Sequence, residues 1–315
     1  MESREQSRLR ENMNYLNLIR YKNLLIIILI QVLIRYALFI PLGADLTLSH
    51  FEFALLVLAT VFIAAAGNII NDIYDVEIDK INKPKKVIVG KYISEGIAYN
   101  LFIAFNIIGV GLGFYLAKQI EEDVFFGFFI VTSALLYLYA SFLKSMILIG
   151  NIIISLLVAF SLVIVGLFDL FPAINFMNQD YQSFVFGILL TYAFFAFYIN
   201  LMREIVKDIE DIDGDINGEL NTLPIAIGRK RTSYIIFGMG VLSLFGIIFY
   251  IYTNLYSYTI AVAYFLLLVL APLGYFCIKI WDAKSKNDYS FLSNLLKITM
   301  LLGMGSLLLY TFVIQ

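Results

Sequence analysis

The sequence is poor in the side chains that carry most metal and redox chemistry, with one histidine, His50, and one cysteine, Cys277, in 315 residues. So few exclude a Cys/His zinc site, an intrachain disulfide and a two-histidine metal motif, and argue against a histidine-based triad. Any metal bound by this chain is therefore held by oxygen, which favours Mg²⁺, Mn²⁺ or Ca²⁺. Charge is scarce too, at 15% of residues against roughly 25% in soluble domains. Proline is limited to Pro41, Pro84, Pro172, Pro224 and Pro272, which leaves few places where a helix must break.

What is abundant is apolar: 61% hydrophobic and 16% aromatic residues, with a mean hydropathy of +0.86. Runs of about 20 apolar residues, enough to cross a bilayer, recur from Leu24 to Val313. They predict an all-α, polytopic membrane protein with nine helices, at approximately 24–42, 51–70, 97–117, 123–142, 146–168, 183–202, 234–253, 258–280 and 291–313. The polar segment before the first run carries Arg4, Arg8, Arg10, Arg20 and Lys22. It is too long and too evenly charged for a signal peptide, so the first run reads as a retained helix.

Basic residues stay cytoplasmic, and their placement orients the chain. With the N-terminus inside, residues 1–23 and loops 71–96, 143–146, 203–233 and 279–297 hold 20 of the 22 lysines and arginines. Only Lys118 falls in an outer loop and Arg35 within a span. The expectation is one integral domain over 1–315 in the cell membrane, multi-pass, with N-terminus and active-site loops cytoplasmic and C-terminus outside. Loops 71–96 and 203–233 are long and highly charged, as functional loops often are.

Eleven of the 24 acids lie in two windows, 72–79 and 204–219, each beginning where an apolar run ends. Aspartates stand at i, i+3 and i+7 in both: Asp72, Asp75 and Asp79, then Asp208, Asp211 and Asp215. On a helix these offsets share one face, where like charges repel unless a cation sits among them. One such window reads equally well as a solvated acidic helix end. Two with the same spacing on one membrane side point to Mg²⁺, which takes one or two carboxylates plus waters and substrate phosphates, so that two facing acidic helix ends would hold a metal-bound diphosphate. The flanking Lys83, Arg203 and Lys207 suit phosphate oxygens, whereas Lys85, Lys86 and the cluster Arg229, Lys230, Arg231 fit the positive-inside rule and anionic headgroups. The windows, 136 residues apart, suggest an internal pseudo-repeat in which the second and sixth spans correspond. Gly214 is expected to end the second acidic helix and leave Asp215 in a loop, as Pro84 ends the first.

Asn71-Asp72-x-x-Asp75-x-x-x-Asp79 after the second span and Asp208-x-x-Asp211-x-x-x-Asp215 after the sixth resemble the two aspartate-rich motifs of the UbiA superfamily of intramembrane prenyltransferases. The stretch from Arg203 to Asp215, followed by Thr222-Leu223-Pro224-Ile225, is similar to the geranylgeranylglycerol-phosphate geranylgeranyltransferases, which make the second ether bond of archaeal-type lipids; chlorophyll synthases carry a related pattern. Arg20 with Asn23, and Tyr139 with Lys144, look like further family residues. The sequence departs from the pattern at Lys83, where the family has arginine before proline, and at Ala140, where serine is expected.

The resemblance implies nine helices around a central cavity, capped by the two cytoplasmic loops. It also implies Mg²⁺ held by the six aspartates, with Arg20, Asn23, Asn71, Lys83, Tyr139, Lys144, Arg203 and Lys207 on the substrates. The substrates would be a polyprenyl diphosphate donor and a lipophilic acceptor. Geranylgeranylglyceryl phosphate is the expected acceptor, with Arg20 on its phosphate; an aromatic quinone precursor or a chlorophyllide-like acid is the alternative. The lipid bilayer is the surrounding partner, and nucleic acid is not expected.

Other residues are open to two readings. Arg35, about 18 Å along a helix from Asn23, is a functional candidate inside the membrane or snorkels to the outer interface. Tyr137, Tyr139 and Tyr192 offer π faces for a carbocation, or simply pack. His50 reads as interfacial and Cys277 as a small apolar residue. A secondary transporter would place its site at midplane on broken helices, whereas these acids sit at one face. A CDP-alcohol phosphatidyltransferase needs a Gly and an Ala-Arg between paired aspartates, which neither window has.

Overall fold

The computed structural model describes residues 12–312; Arg4, Arg8 and Arg10, counted above on the inner side, lie outside the described residues. Residues 12–18 are helical. There follow α1 (Tyr21–Phe39), α2 (His50–Tyr74), α3 (Val76–Asn82), α4 (Glu95–Gln119), α5 (Asp123–Ser141), α6 (Ile149–Ala173), α7 (Gln179–Asn217), α8 (Leu223–Ile227), α9 (Arg229–Leu255), α10 (Thr259–Asp282) and α11 (Lys286–Phe312). All but α3 and α8 are long and apolar enough to cross a membrane, nine in the described residues, one for each apolar run. An isolated bridge between Val89 and Ile93 is the one β feature among the described residues.

Local chemistry sets the helix starts. Ser49 and Glu52 form a capping box at α2, the serine hydroxyl accepting from the Glu52 amide at 3.3 Å and the Glu52 carboxylate accepting from the Ser49 amide at 2.8 Å. Ser285 and Asp288 do the same at α11. Each box satisfies backbone donors that have no partner within the helix. Pro224 occupies the first turn of α8, where its missing amide costs nothing.

The chain divides into two compact units, one comprising the residues up to Gln31 with Thr47–Lys144, the other Val32–Leu46 with Ser145 onward. Small residues let helices approach closely inside each, as expected where lipid removes the hydrophobic drive between helices. In the first unit α4 brings Gly109 onto Ala59 and Ile63 of α2, and Gly113 onto the Phe129 ring of α5. In the second, Gly166 of α6 meets Phe186 and Leu189 of α7, and Gly303 of α11 meets Phe195 of α7.

Two expectations about the acidic segments are corrected. Loop 203–233 is largely helix: α7 continues through the acids to Asn217, a 39-residue helix about 58 Å long at 1.5 Å per residue, almost twice the ~30 Å hydrocarbon core. The reason is a second apolar stripe within the charged stretch, since Ile205, Val206, Ile209 and Ile212 are all buried. Gly214 does not end the helix, and Asp215 is inside it; Gly218 caps it, its amide bonding the Gly214 carbonyl at 2.8 Å. Loop 71–96 likewise begins as helix, α2 running to Tyr74 and α3 from Val76 to Asn82. Asp75 interrupts at φ −91°, ψ 1°, but the bonds from Asp75 N to Asn71 O (2.9 Å) and Asp79 N to Asp75 O (2.8 Å) carry the i, i+4 ladder across the break.

Arg35 does not snorkel. It sits in a π-helical turn, Ile34–Phe39, is 3% exposed, and its Nη1 donates to Asp169 Oδ2 of α6 at 2.9 Å, a carboxylate with no exposure at all. Residue 169 lies just past the fifth apolar run, so nothing in the sequence pairs it with residue 35.

Candidate active site

The first acid set is held by cations and an amide. Arg20 Nη2 donates to Asp72 Oδ1 at 2.6 Å. Arg20 reaches it from a tight turn in which its own φ is +53°, a left-handed conformation that costs a non-glycine residue of order 1 kcal/mol and persists only where surrounding bonds enforce it. Those bonds are present: the Asn23 amide donates to the Arg20 carbonyl at 2.8 Å, and the Asn68 side chain of α2 donates to the Ile19 carbonyl at 3.0 Å. Asp75 accepts from Asn71 Nδ2 at 2.6 Å through one oxygen and from Lys144 Nζ through the other. Asp79 is half-buried, and that burial pushes its carboxyl above the usual range; Lys83 opposes the shift while Asp75 and Asp72 add to it. Beneath lies an apolar cluster of Leu18, Ile69, Ile70, Ile73, Val89, Ile93, Ala98 and Ala140. Ala140, at the position where the family pattern has serine, is wholly buried there.

In the second set, Asp208 Oδ2 accepts from Asn151 Nδ2 of α6 at 2.8 Å. Asp211 Oδ1 lies 4.0 Å from Lys286 Nζ of α11, and Asp215 is buried within α7. Arg203 and Lys207, expected at the substrate, both turn to Glu204, at 2.6 and 2.9 Å. Glu204 is itself buried, so two cations compensate a charge held largely away from water. Tyr139 sits half-buried near the end of α5. Tyr192 is buried in α7 and shares a 2.7 Å bond with Ser306. Tyr137 is bonded to Tyr74 at 3.2 Å.

The donor chemistry suits Mg²⁺. All the donors are oxygens, and among the described residues no three acidic, histidine or cysteine side chains close into a ready-made metal cage. Burial and like charge at Asp79 are both relieved by a cation placed among the carboxylates.

Residues 28–312 match the UbiA prenyltransferase family. The chain belongs to that family. It is an integral membrane prenyltransferase. A digeranylgeranylglyceryl phosphate synthase of Korarchaeum cryptofilum is 34% identical over 252 residues, covering 78% of this chain and 81% of the relative. A solved structure described for digeranylgeranylglyceryl phosphate synthase is 25% identical, with a TM-score of 0.59 over 95% of this chain and 99% of the other. The fold is also that of a UbiA homologue from Archaeoglobus fulgidus bound to DMAPP and Mg²⁺, at 16% identity and a TM-score of 0.54 over 94% of this chain and 99% of that one.

Of the residues singled out by spacing and resemblance, the structure brings Arg20 to Asp72 and both Asn71 and Lys144 to Asp75. Asn151, Asn68 and Asp169 carried no signal in the sequence, because each bonds a residue far away along the chain, and Glu204 was legible only as one acid of the second window, not as the partner of Arg203 and Lys207.

Proposed function

We propose that this prenyltransferase moves a geranylgeranyl group from its diphosphate to geranylgeranylglyceryl phosphate, forming an ether lipid, as a single domain over 1–315. The observation that carries the reading is the pair of aspartate sets at i, i+3 and i+7, in a chain 34% identical to a synthase of that name. Asp72, Asp75, Asp79, Asp208, Asp211 and Asp215 hold Mg²⁺, which when bound neutralises the diphosphate of the donor and makes it a better leaving group. Lys83 and Lys144 supply further positive charge where the diphosphate departs, a stabilisation greatest in the transition state. Arg20 orients the acceptor phosphate, and Asn23, Asn71 and Tyr139 complete the substrate contacts. Arg203 and Lys207 share their charge with Glu204 and so tune the second set. The carbon–oxygen bond to diphosphate breaks with its electron pair leaving on the diphosphate, apolar helix walls exclude water from the resulting allylic cation, and the acceptor hydroxyl attacks C1 of the prenyl chain, its proton passing to the departing diphosphate. With 20 basic residues assigned to one side, the N-terminus and site face the cytoplasm and the C-terminus lies outside.

Purified protein incubated with geranylgeranyl diphosphate, geranylgeranylglyceryl phosphate and Mg²⁺ is expected to release diphosphate and form the diether. Turnover with an aromatic acceptor instead would overturn the choice of acceptor. No release with any acceptor, or full activity in the Asp75→Ala/Asp211→Ala double variant, would overturn the chemistry.

A further inference from the structure

Asp72 and Asp75 are each held by a cation, Arg20 and Lys144, whereas Asp208 is held by a neutral amide. Asn151 Nδ2 donates to Asp208 Oδ2 at 2.8 Å across 57 residues of sequence. A second polar contact joins the same two helices one turn away. Ser155, one turn further along α6 and on the same face, bonds the Asn151 carbonyl at 2.6 Å and accepts from Asn200 of α7 at 3.2 Å. Ser155 and Asn200 are buried, at 0% and 4% exposure, so this lower rung sits where a lost bond is costly. Two polar rungs thus join α6 to α7, and the upper one ends on a carboxylate. The nearby cation Lys207 is bonded to Glu204.

We propose that Asn151 is a positioning residue for Asp208. A cationic partner would orient the carboxylate and also cancel much of its charge. The amide orients it and leaves the charge for a divalent ion, as outer-shell donors do for metal-binding carboxylates. Asn151 takes no part in bond breaking; it sets the rotamer of a ligand whose helix it reaches from a neighbouring one. The proposal rests on Asp208 as a metal ligand and is independent of the acceptor.

Its test is Mn²⁺ binding to the detergent-solubilised full chain, free Mn²⁺ being read by electron paramagnetic resonance, alongside thermal unfolding without metal. Asn151→Ala and Asn151→Leu are expected to raise the Mn²⁺ concentration at half-saturation by roughly 10–100-fold, with a metal-free unfolding midpoint close to that of the native chain. Ser155→Ala and Asn200→Ala, which break the lower rung, are expected to lower the midpoint and leave Mn²⁺ affinity nearly unchanged. Native affinity in either Asn151 variant, while Asp208→Asn binds weakly, overturns the proposal and spares the assignment of Asp208. An equal loss of affinity in the Ser155 and Asn200 variants overturns it in favour of helix packing. Native affinity in Asp208→Asn overturns the metal assignment and this proposal together; the choice of acceptor is read separately, from the product formed by the native chain.

Discussion

The pair Arg35–Asp169 gives a prediction whose sign depends on which side chain is removed. Both groups are almost wholly buried, and the guanidinium donates at 2.9 Å. At an effective dielectric near 20, unit charges roughly 4 Å apart attract by about 4 kcal/mol. Desolvating two ions costs a similar amount, so the intact pair adds little net stability. Removing one partner is different, because the survivor keeps its desolvation cost and loses the attraction. Asp169→Leu and Arg35→Met are each expected to cost about 3–5 kcal/mol, whereas the double variant is expected within about 1 kcal/mol of the native chain or above it. The double-mutant cycle then yields a coupling of about 5 kcal/mol or more. Reversible unfolding of the four proteins in mixed micelles, with the SDS fraction as denaturant, measures this. Single variants costing under about 1 kcal/mol, or a double variant showing the full sum of the single losses, would refute the reasoning. The first result would mean that water reaches the pair, and the second that each residue acts through packing alone.

Three further outcomes follow from the structure. Glu204→Gln leaves Arg203 and Lys207 without the anion they share, and is expected to destabilise by about 1–3 kcal/mol and to weaken donor binding, read as a higher KM for geranylgeranyl diphosphate. Gly113→Ala places a Cβ 2.2 Å from the Phe129 ring; such overpacking costs typically 1–3 kcal/mol and lowers the thermal midpoint without shifting the KM for either substrate. Chelation with EDTA is expected to abolish turnover, with recovery on adding Mg²⁺ or Mn²⁺; activity that persists in chelator would contradict the carboxylate assignment.

Legibility in the sequence followed the range of the interactions. The nine spans were visible because each is a continuous run of apolar side chains, and the bilayer sets their length regardless of neighbours. The acid sets were visible because i, i+3 and i+7 describes a helix face without reference to anything else. The apolar run of α7 stops at the first charges, while the helix is held further on by Ile205, Ile209 and Ile212 buried beneath them, so its end is not legible from hydropathy alone. Arg203 and Lys207 flank the second acid set in the sequence, and only the structure shows that both contact Glu204.

The amino-acid order alone thus determined the class of molecule, the number of apolar spans and the two matching sets of aspartates, since these depend on composition and on spacing within a single helix. Only the tertiary structure decided which partners hold those carboxylates: Arg20 for Asp72, Lys144 for Asp75, Asn151 for Asp208, and Asp169 for the buried Arg35. Those pairs span 52, 69, 57 and 134 residues of sequence. No local periodicity specifies them; close packing of helices through small residues and buried isoleucines brings the partners within hydrogen-bond reach.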